Sequence, residues 1–318
     1  MQYQNNDEKY FLRDIVGEYM CELGAKDKRV MVVNADLIGA SRNRKFTEMY
    51  PERSFNVGIA EQNMVCFSAG LAKEGFISYA FSMAPFLSMR ACEQCRTDVA
   101  YANLNVRLMS TYAGVSGGIS GATHWGIEDC GIMTSIPNIT VIELSDPNQA
   151  IQIMDQTLSF NGPLYIRIGV EPVQKVYDDL YSHTIGCASI VQNGDDGAFI
   201  VCGITVKYAV EAAKRIKSEF GKCIQIIDMH TIKPIDRNAV ISAAHTGNVI
   251  VAQDHNVYGG LGSMVAKVIA EENCNTKFRI LGENDEFVAM AHAPYLYHKF
   301  GYDGEGLYAS MTNMLGVK

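Results

Sequence analysis

Two consecutive α/β domains with mostly parallel sheets are what this chain predicts, on three observations. Short apolar runs of strand length alternate with helix-length segments, the pattern of parallel strands joined by crossover helices. The alternation comes as two series, separated by a stretch from Glu171 to Thr184 that loosens and turns polar, so the expected domains are residues 1–175 and 186–318. Of the 318 residues 48% are hydrophobic and 19% charged, which supplies core for two domains of ordinary size.

In the first series, Phe11, Leu12, Ile15, Val16, Tyr19, Met20 and Leu23 recur at helical spacing, and Gly24 is placed to cap that helix. Arg29 to Val33 reads as a short buried strand. Glu61 to Lys73 reads as a helix apolar on nearly every face (Met64, Val65, Phe67, Ala69, Leu71, Ala72), hence a buried one. Phe76 to Phe81 follows as a strand, Phe86 to Tyr101 as a helix and Val106 to Thr111 as a strand. Ile139 to Leu144 is a strand, and Ser145-Asp146-Pro147 opens the next helix with a capping side chain and a first-turn proline. Leu164 to Ile168 closes the series. The second series comprises strand Ala198 to Cys202, a helix from Val206 to Phe220, strands Cys223 to Ile227 and Val249 to Val251, a helix after Gly262, and strand Phe278 to Leu281.

Composition narrows the partners. The net charge is -8 and no Lys/Arg cluster stands out, which argues against nucleic acid. No uncharged apolar run approaches the roughly 18 residues of a membrane span, and Met1 to Tyr10 lacks the apolar core of a signal peptide. Nine cysteines, an odd number, fit reduced thiols in a cytoplasm. Cys92-Glu93-Gln94-Cys95 has redox or metal spacing, but it sits inside a helical pattern without a second pair and reads as structural.

The chemistry centres on Gly58-Ile59-Ala60-Glu61-Gln62-Asn63-Met64. A carboxylate at the mouth of a buried helix is costly unless something pairs with it. Glu61 either answers the helix's own N-terminal amides or meets a ligand. The stretch Phe55 to Ala72 resembles the pyrimidine-binding domain of transketolases and deoxyxylulose-phosphate synthases, both thiamine diphosphate enzymes. The likeness continues through Asn34-Ala35-Asp36-Leu37, Gly121-Ala122-Thr123-His124, Thr231-Ile232-Lys233-Pro234 and Gly259-Gly260-Leu261-Gly262, in family order and over almost all of the chain.

That resemblance implies roles residue by residue. Glu61 would hydrogen-bond N1′ of the cofactor's aminopyrimidine, a task suited to a carboxylate in a dry pocket. Phe86 would stack on the pyrimidine, Met83 stands where a second aromatic is common, Arg90 lies beyond the stack, and Asp36 lies near the cofactor and the interface between chains. His124 would contact the substrate oxygen or assist proton transfer. Arg13 and Arg167 match residues that bind a terminal phosphate, for which guanidinium forks are suited. Three positions depart from the pattern: Ser120 replaces an aspartate, Tyr112 a phosphate-binding histidine, and Ala40 a serine, with Ser41 adjacent. These departures put ordinary pentose and hexose phosphates in doubt as preferred substrates.

The Gly-Asp-Gly run with a distal asparagine that holds Mg²⁺ and the diphosphate in such enzymes is missing; Asn193-Gly194-Asp195-Asp196-Gly197 reads as a surface turn without a partner asparagine. The resemblance is therefore to the C-terminal half of a split transketolase. It implies a second chain carrying the diphosphate and Mg²⁺ site, an assembly of two of each chain, and no metal ligands here. The implied reaction moves a two-carbon ketol unit between sugars by way of a thiamine diphosphate carbanion. A deoxyxylulose-phosphate synthase, a 2-oxoacid dehydrogenase β chain and a non-catalytic relative are the alternatives.

Overall fold

The computed structural model describes residues 9–317; the segment up to Glu8, read above for a targeting signal, and Lys318 lie outside the described residues. Helix α1 (Leu12–Lys26) leads into β1 (Val30–Asn34), α2 (Arg44–Met49), β2 (Ser54–Asn56), α3 (Glu61–Lys73) and β3 (Ile77–Met83). An irregular helical stretch follows, with π turns Phe86–Arg90 and Cys95–Ala100 on either side of the short α4 (Cys92–Gln94). It reaches β4 (Val106–Thr111), α5 (Asp129–Ser135), β5 (Thr140–Glu143), α6 (Pro147–Gln156) and β6 (Leu164–Ile168). After an irregular connection come β7 (Ser189–Gln192), β8 (Gly197–Val201), α7 (Thr205–Phe220), β9 (Ile224–Asp228), β10 (Thr231–Lys233) and α8 (Arg237–Ala244). Then β11 (Asn248–Asn256), α9 (Gly260–Glu271), β12 (Lys277–Glu283), α10 (Ala293–Phe300) and α11 (Gly304–Leu315) complete the chain.

These strands form two sheets, β10-β5-β6-β4-β3-β1-β2 and β12-β11-β8-β9-β7. Pairing is parallel except for β10 on β5 and β7 on β9. Strands β1, β4, β5, β6, β8 and β9 are buried at every position, which is why they read as mostly apolar runs of strand length. Asp146 caps α6 as its spacing predicts, accepting from the backbone N–H of Asn148 and Gln149 at 2.7 and 3.2 Å, with Pro147 in the first turn.

Three expectations are corrected, and one strand pairing was not foreseen. Gly24 does not end α1, which continues to Lys26; a Cβ there would stand 2.7 Å from the Phe46 ring and 2.9 Å from Tyr50, so glycine lets α2 pack closely. Helix α3 is not buried all round. Glu61, Met64, Val65, Ser68 and Ala69 face the sheet, while Cys66, Phe67 and Gly70 are exposed. Helix α9 begins at Gly260, ahead of Gly262. Finally, Thr231 and Lys233 pair with Ile142 and Val141, so a strand from the second half of the chain joins the edge of the first sheet. Short segments such as β10 carry too little pattern to be placed by periodicity alone.

Candidate active site

Ligands of open parallel sheets bind at the carboxyl ends of the strands, where successive crossovers leave in opposite directions. In the first sheet that point lies between β1 and β3: the chain passes from β1 out to β2, then returns across β1 to β3 and on to β4. Glu61 opens α3 just beyond β2, Met83 ends β3, and Tyr112 follows β4. The predicted residues thus come from different crossovers and meet at one end of one sheet.

Glu61 is 1% exposed. Its Oε2 accepts from Arg90 Nη1 at 2.7 Å, and its Oε1 has only a long, 3.4 Å contact from Ser82 Oγ. Glu61 has therefore left the helix amides to an ion pair, and half of the carboxylate is lightly used. The Arg90 guanidinium lies 4.4 Å from the centre of the Phe86 ring. Phe86 in turn meets His124 edge-on, with ring centres 5.5 Å apart. His124 Nδ1 and Thr123 Oγ1 are 2.9 Å apart. Glu61, Arg90, Phe86 and His124 form one unbroken line of contacts, although they come from distant parts of the sequence.

The other residues fall around this line. Met83 is half-buried and pairs with Thr111. Asp36 is exposed with a left-handed backbone, φ 60°; its N–H donates to Asn56 Oδ1 at 2.9 Å, and Asn56 Nδ2 returns a bond to its carboxylate at 3.2 Å. Tyr112, also at φ 60°, receives a 3.4 Å hydrogen bond on its hydroxyl from Arg13 Nη1. Arg13 Nε and the buried Ser41 Oγ have no hydrogen-bond partner among the described residues. Ser120 is exposed in a short 3-10 turn, Gly118–Ser120, beside the exposed Ile119.

Arg167 is the correction. It is wholly buried on β6, and its donors are spent inside the chain. They reach both oxygens of Asp129 at 2.8 and 2.9 Å, the Glu143 carboxylate, and the carbonyls of Gly126 and Asp254 at 3.0 and 3.1 Å. A guanidinium that holds two carboxylates and two carbonyls in a wholly buried interior is not open to a phosphate. Sequence reasoning missed Ser82 beside Glu61 and the Arg90 ion pair, since 29 positions separate the two charged residues. Cys92 and Cys95 are not joined in a disulfide; Cys95 is buried, and desolvation pushes its thiol up. Among the described residues no group of three or more His, Cys, Asp or Glu side chains could hold a metal, and no helix is long and apolar enough to cross a membrane.

Comparison with known proteins gives a consistent set of matches. Residues 8–174 match the family described as transketolase, pyrimidine binding domain, and residues 186–307 the family described as transketolase, C-terminal domain. The 6-deoxy-6-sulfo-D-fructose transketolase subunit SqwH of Clostridium sp. (strain MSTE9) is 37% identical over 92% of this chain and 91% of its own length. One of the subunits of the apulose-4-phosphate transketolase of Actinobacillus succinogenes is 35% identical over 81% of this chain and 83% of its own length. A solved structure described as a split gene transketolase, inactive beta4 tetramer, superposes with a TM-score of 0.85 at 33% identity, covering 97% of this chain and 99% of the other.

Proposed function

The chain belongs to the transketolase family, and on that premise we propose that it is the pyrimidine-binding subunit of a two-chain enzyme that moves a two-carbon ketol unit from a ketose to an aldose. The observation that carries this reading is the contact line from Glu61 through Arg90 and Phe86 to His124 at the switch point of the first sheet. The residues fit an aminopyrimidine. A buried carboxylate offers a lightly used oxygen, Oε1, to a ring nitrogen, and the half-buried Phe86 ring offers a stacking surface. Thiamine diphosphate, when bound, supplies the nucleophilic carbon.

Every other task falls to this chain. Glu61 shares a proton with the pyrimidine nitrogen, and Arg90 fixes which carboxylate oxygen is left for it. Met83 forms a softer wall in place of an aromatic. Asp36, tied to Asn56, borders the cofactor. His124 holds or moves a proton at the substrate oxygen, and Arg13, Tyr112, Ser41 and Ser120 line the sugar's path. In this division residues 1–175 hold the pyrimidine site and 186–318 the C-terminal domain.

The diphosphate and Mg²⁺ fall to an N-terminal transketolase subunit, in an assembly of two of each chain. Two features support a partner. Relatives matched over most of their length are named as subunits, and Ile59, Phe67 and Met89 leave 76, 38 and 47% of their surface exposed around the site. A cytoplasmic location is supported by nine unpaired cysteines. The test is calorimetry. The isolated chain should take up thiamine diphosphate only weakly, and adding the partner should restore both tight uptake and ketol transfer. Micromolar, Mg²⁺-dependent binding by the chain alone would defeat the two-chain reading, and pyruvate turnover by the pair would make it a synthase or dehydrogenase instead.

For the donor, the relatives are named for a sulfonated and a phosphorylated sugar, and the residues here favour a weaker anion site than two arginines would make. Arg167 is committed internally, which leaves Arg13 beside a tyrosine hydroxyl. Serine at position 120 also accepts a weaker bond from a sugar hydroxyl than an ionised aspartate would. The reconstituted enzyme should prefer a sugar with a sulfonate or other single-charge head group over xylulose 5-phosphate and fructose 6-phosphate by about tenfold in kcat/KM. Ser120→Asp should narrow that margin. Equal, efficient use of both phosphates by the unchanged enzyme would refute the selectivity.

A further inference from the structure

The loop from Tyr112 to Trp125 carries Tyr112, Ser120 and His124, and its neck is closed on itself. Gly114 and Gly126 exchange backbone hydrogen bonds at 2.8 and 2.9 Å, and Trp125 Nε1 donates to the Gly118 carbonyl at 3.0 Å. What seats this neck comes from the other sheet. Asp254, on β11 and 2% exposed, accepts from the Val115 N–H at 2.8 Å. It presses so closely on Gly114 that a Cβ there would fall 2.0 Å from its carboxyl carbon. Further along, Gly118 lies against the backbone of Ala291 to Ala293, where a Cβ would meet Ala291 O and Ala293 N at 3.1 Å. Asp254 does not act alone. The Tyr302 hydroxyl bridges the Asp254 Oδ1, at 3.0 Å, to the carboxyl of Glu283 on β12, which is wholly buried.

We propose that the Asp254–Glu283 acid pair is the positioning element of the His124 loop, so that the C-terminal half of the chain takes part in ketol transfer. This rests on the reading above of His124 as a substrate-facing residue.

Two carboxyl groups joined through one hydroxyl in a dry interior resist carrying two charges at once. Arg167 draws Asp254 down, against the burial that raises it. Arg167, from β6, binds the carbonyl of Asp254 and is already matched by Asp129 and Glu143. The remaining groups that face it are Glu143 from β5, Tyr208 from α7, Tyr297 from α10 and Tyr302, none of them positive. Burial raises both carboxyls, and the Asp254 charge raises Glu283 further. A carboxyl raised on folding contributes stability that is lost as pH climbs through its folded value. Ionising both carboxyls would set two charges against each other beneath Val115 and loosen the loop.

The test uses hydrogen exchange on the full chain together with pH–rate profiles of the reconstituted pair. Glu283→Gln keeps the size of the side chain and an acceptor for Tyr302 but carries no titrating proton. In the unchanged protein, exchange of the 112–126 amides, corrected for its intrinsic pH dependence, should quicken about tenfold as both carboxyls ionise, and kcat should fall over the same range with KM little changed. Glu283→Gln should hold the loop protected and move the fall in kcat to higher pH. Asp254→Ala should unprotect the loop at every pH. Identical loop exchange and an identical alkaline fall in kcat with and without Glu283→Gln would overturn the proposal, and that variant decides the question even where Asp254→Ala does not fold. Because loop exchange is read without any sugar, a pair that transfers no ketol group while the loop still responds to Glu283→Gln counts against the functional reading and not against the positioning role.

Discussion

Glu61→Gln should lower ketol transfer by the reconstituted enzyme at least on the order of 10²-fold, the loss typical when general acid–base catalysis is removed, while the chain stays folded. Glutamine fills the same volume and still hydrogen-bonds a ring nitrogen, but it cannot share a proton as a carboxylate does. The structural cost is small. The other member of the ion pair it disrupts, Arg90, is 47% exposed and can turn to water when the charge is lost, and a neutral amide is cheaper to bury than the carboxylate. Thiamine diphosphate affinity of the assembled pair should change far less than kcat. A mutant with near-normal kcat would show that another group activates the cofactor, and a large drop in the unfolding temperature would show that Glu61 is structural.

Arg167→Met should act in the opposite manner, damaging the fold first. Burial opposes the Arg167 charge, yet Asp129 and Glu143 more than offset that, and the guanidinium is held well above its ordinary value. Methionine would leave two buried carboxylates unpaired and strip the carbonyls of Gly126 and Asp254 of their donor. Breaking a buried pair by removing one member costs about 3–5 kcal/mol. Denaturant unfolding of the chain should show that loss, and adding Glu143→Gln should return part of it, since neighbours in one network are not additive. If Arg167→Met kept its unfolding midpoint and lost only affinity for a phosphorylated sugar, Arg167 would be a substrate residue after all.

The contrast between these two charges shows where sequence reading succeeds. Helix Glu61–Lys73 and strands Val106–Thr111 and Leu164–Ile168 were legible to the residue, because buried parallel strands and helix starts carry strong local patterns. The outer face of α3 was misjudged for a physical reason. Apolar residues on all sides mark burial, but Phe67 and its neighbours stand open in the single chain, and periodicity cannot say whether the cover is the same chain or another. Arg13 and Arg167 looked alike in sequence, each an arginine at a family position. One ends beside a tyrosine hydroxyl with its Nε unpartnered; the other is enclosed by acids from β5 and α5.

By itself the sequence determined that this protein is built from two α/β series, because local periodicity acts over a few residues, and its resemblance to a family marked Glu61, Phe86 and His124 as candidates for one site. Tertiary structure alone decided which charges are free to meet a ligand. Arg90 was assigned to Glu61, Arg167 to Asp129 and Glu143, and Asp254 to the neck of the His124 loop, across separations of 29, 38, 24 and 139 positions. A buried charge is stabilised by whatever lies within a few ångströms of it, and that neighbourhood is set by how the two sheets pack together, which no spacing along the chain encodes.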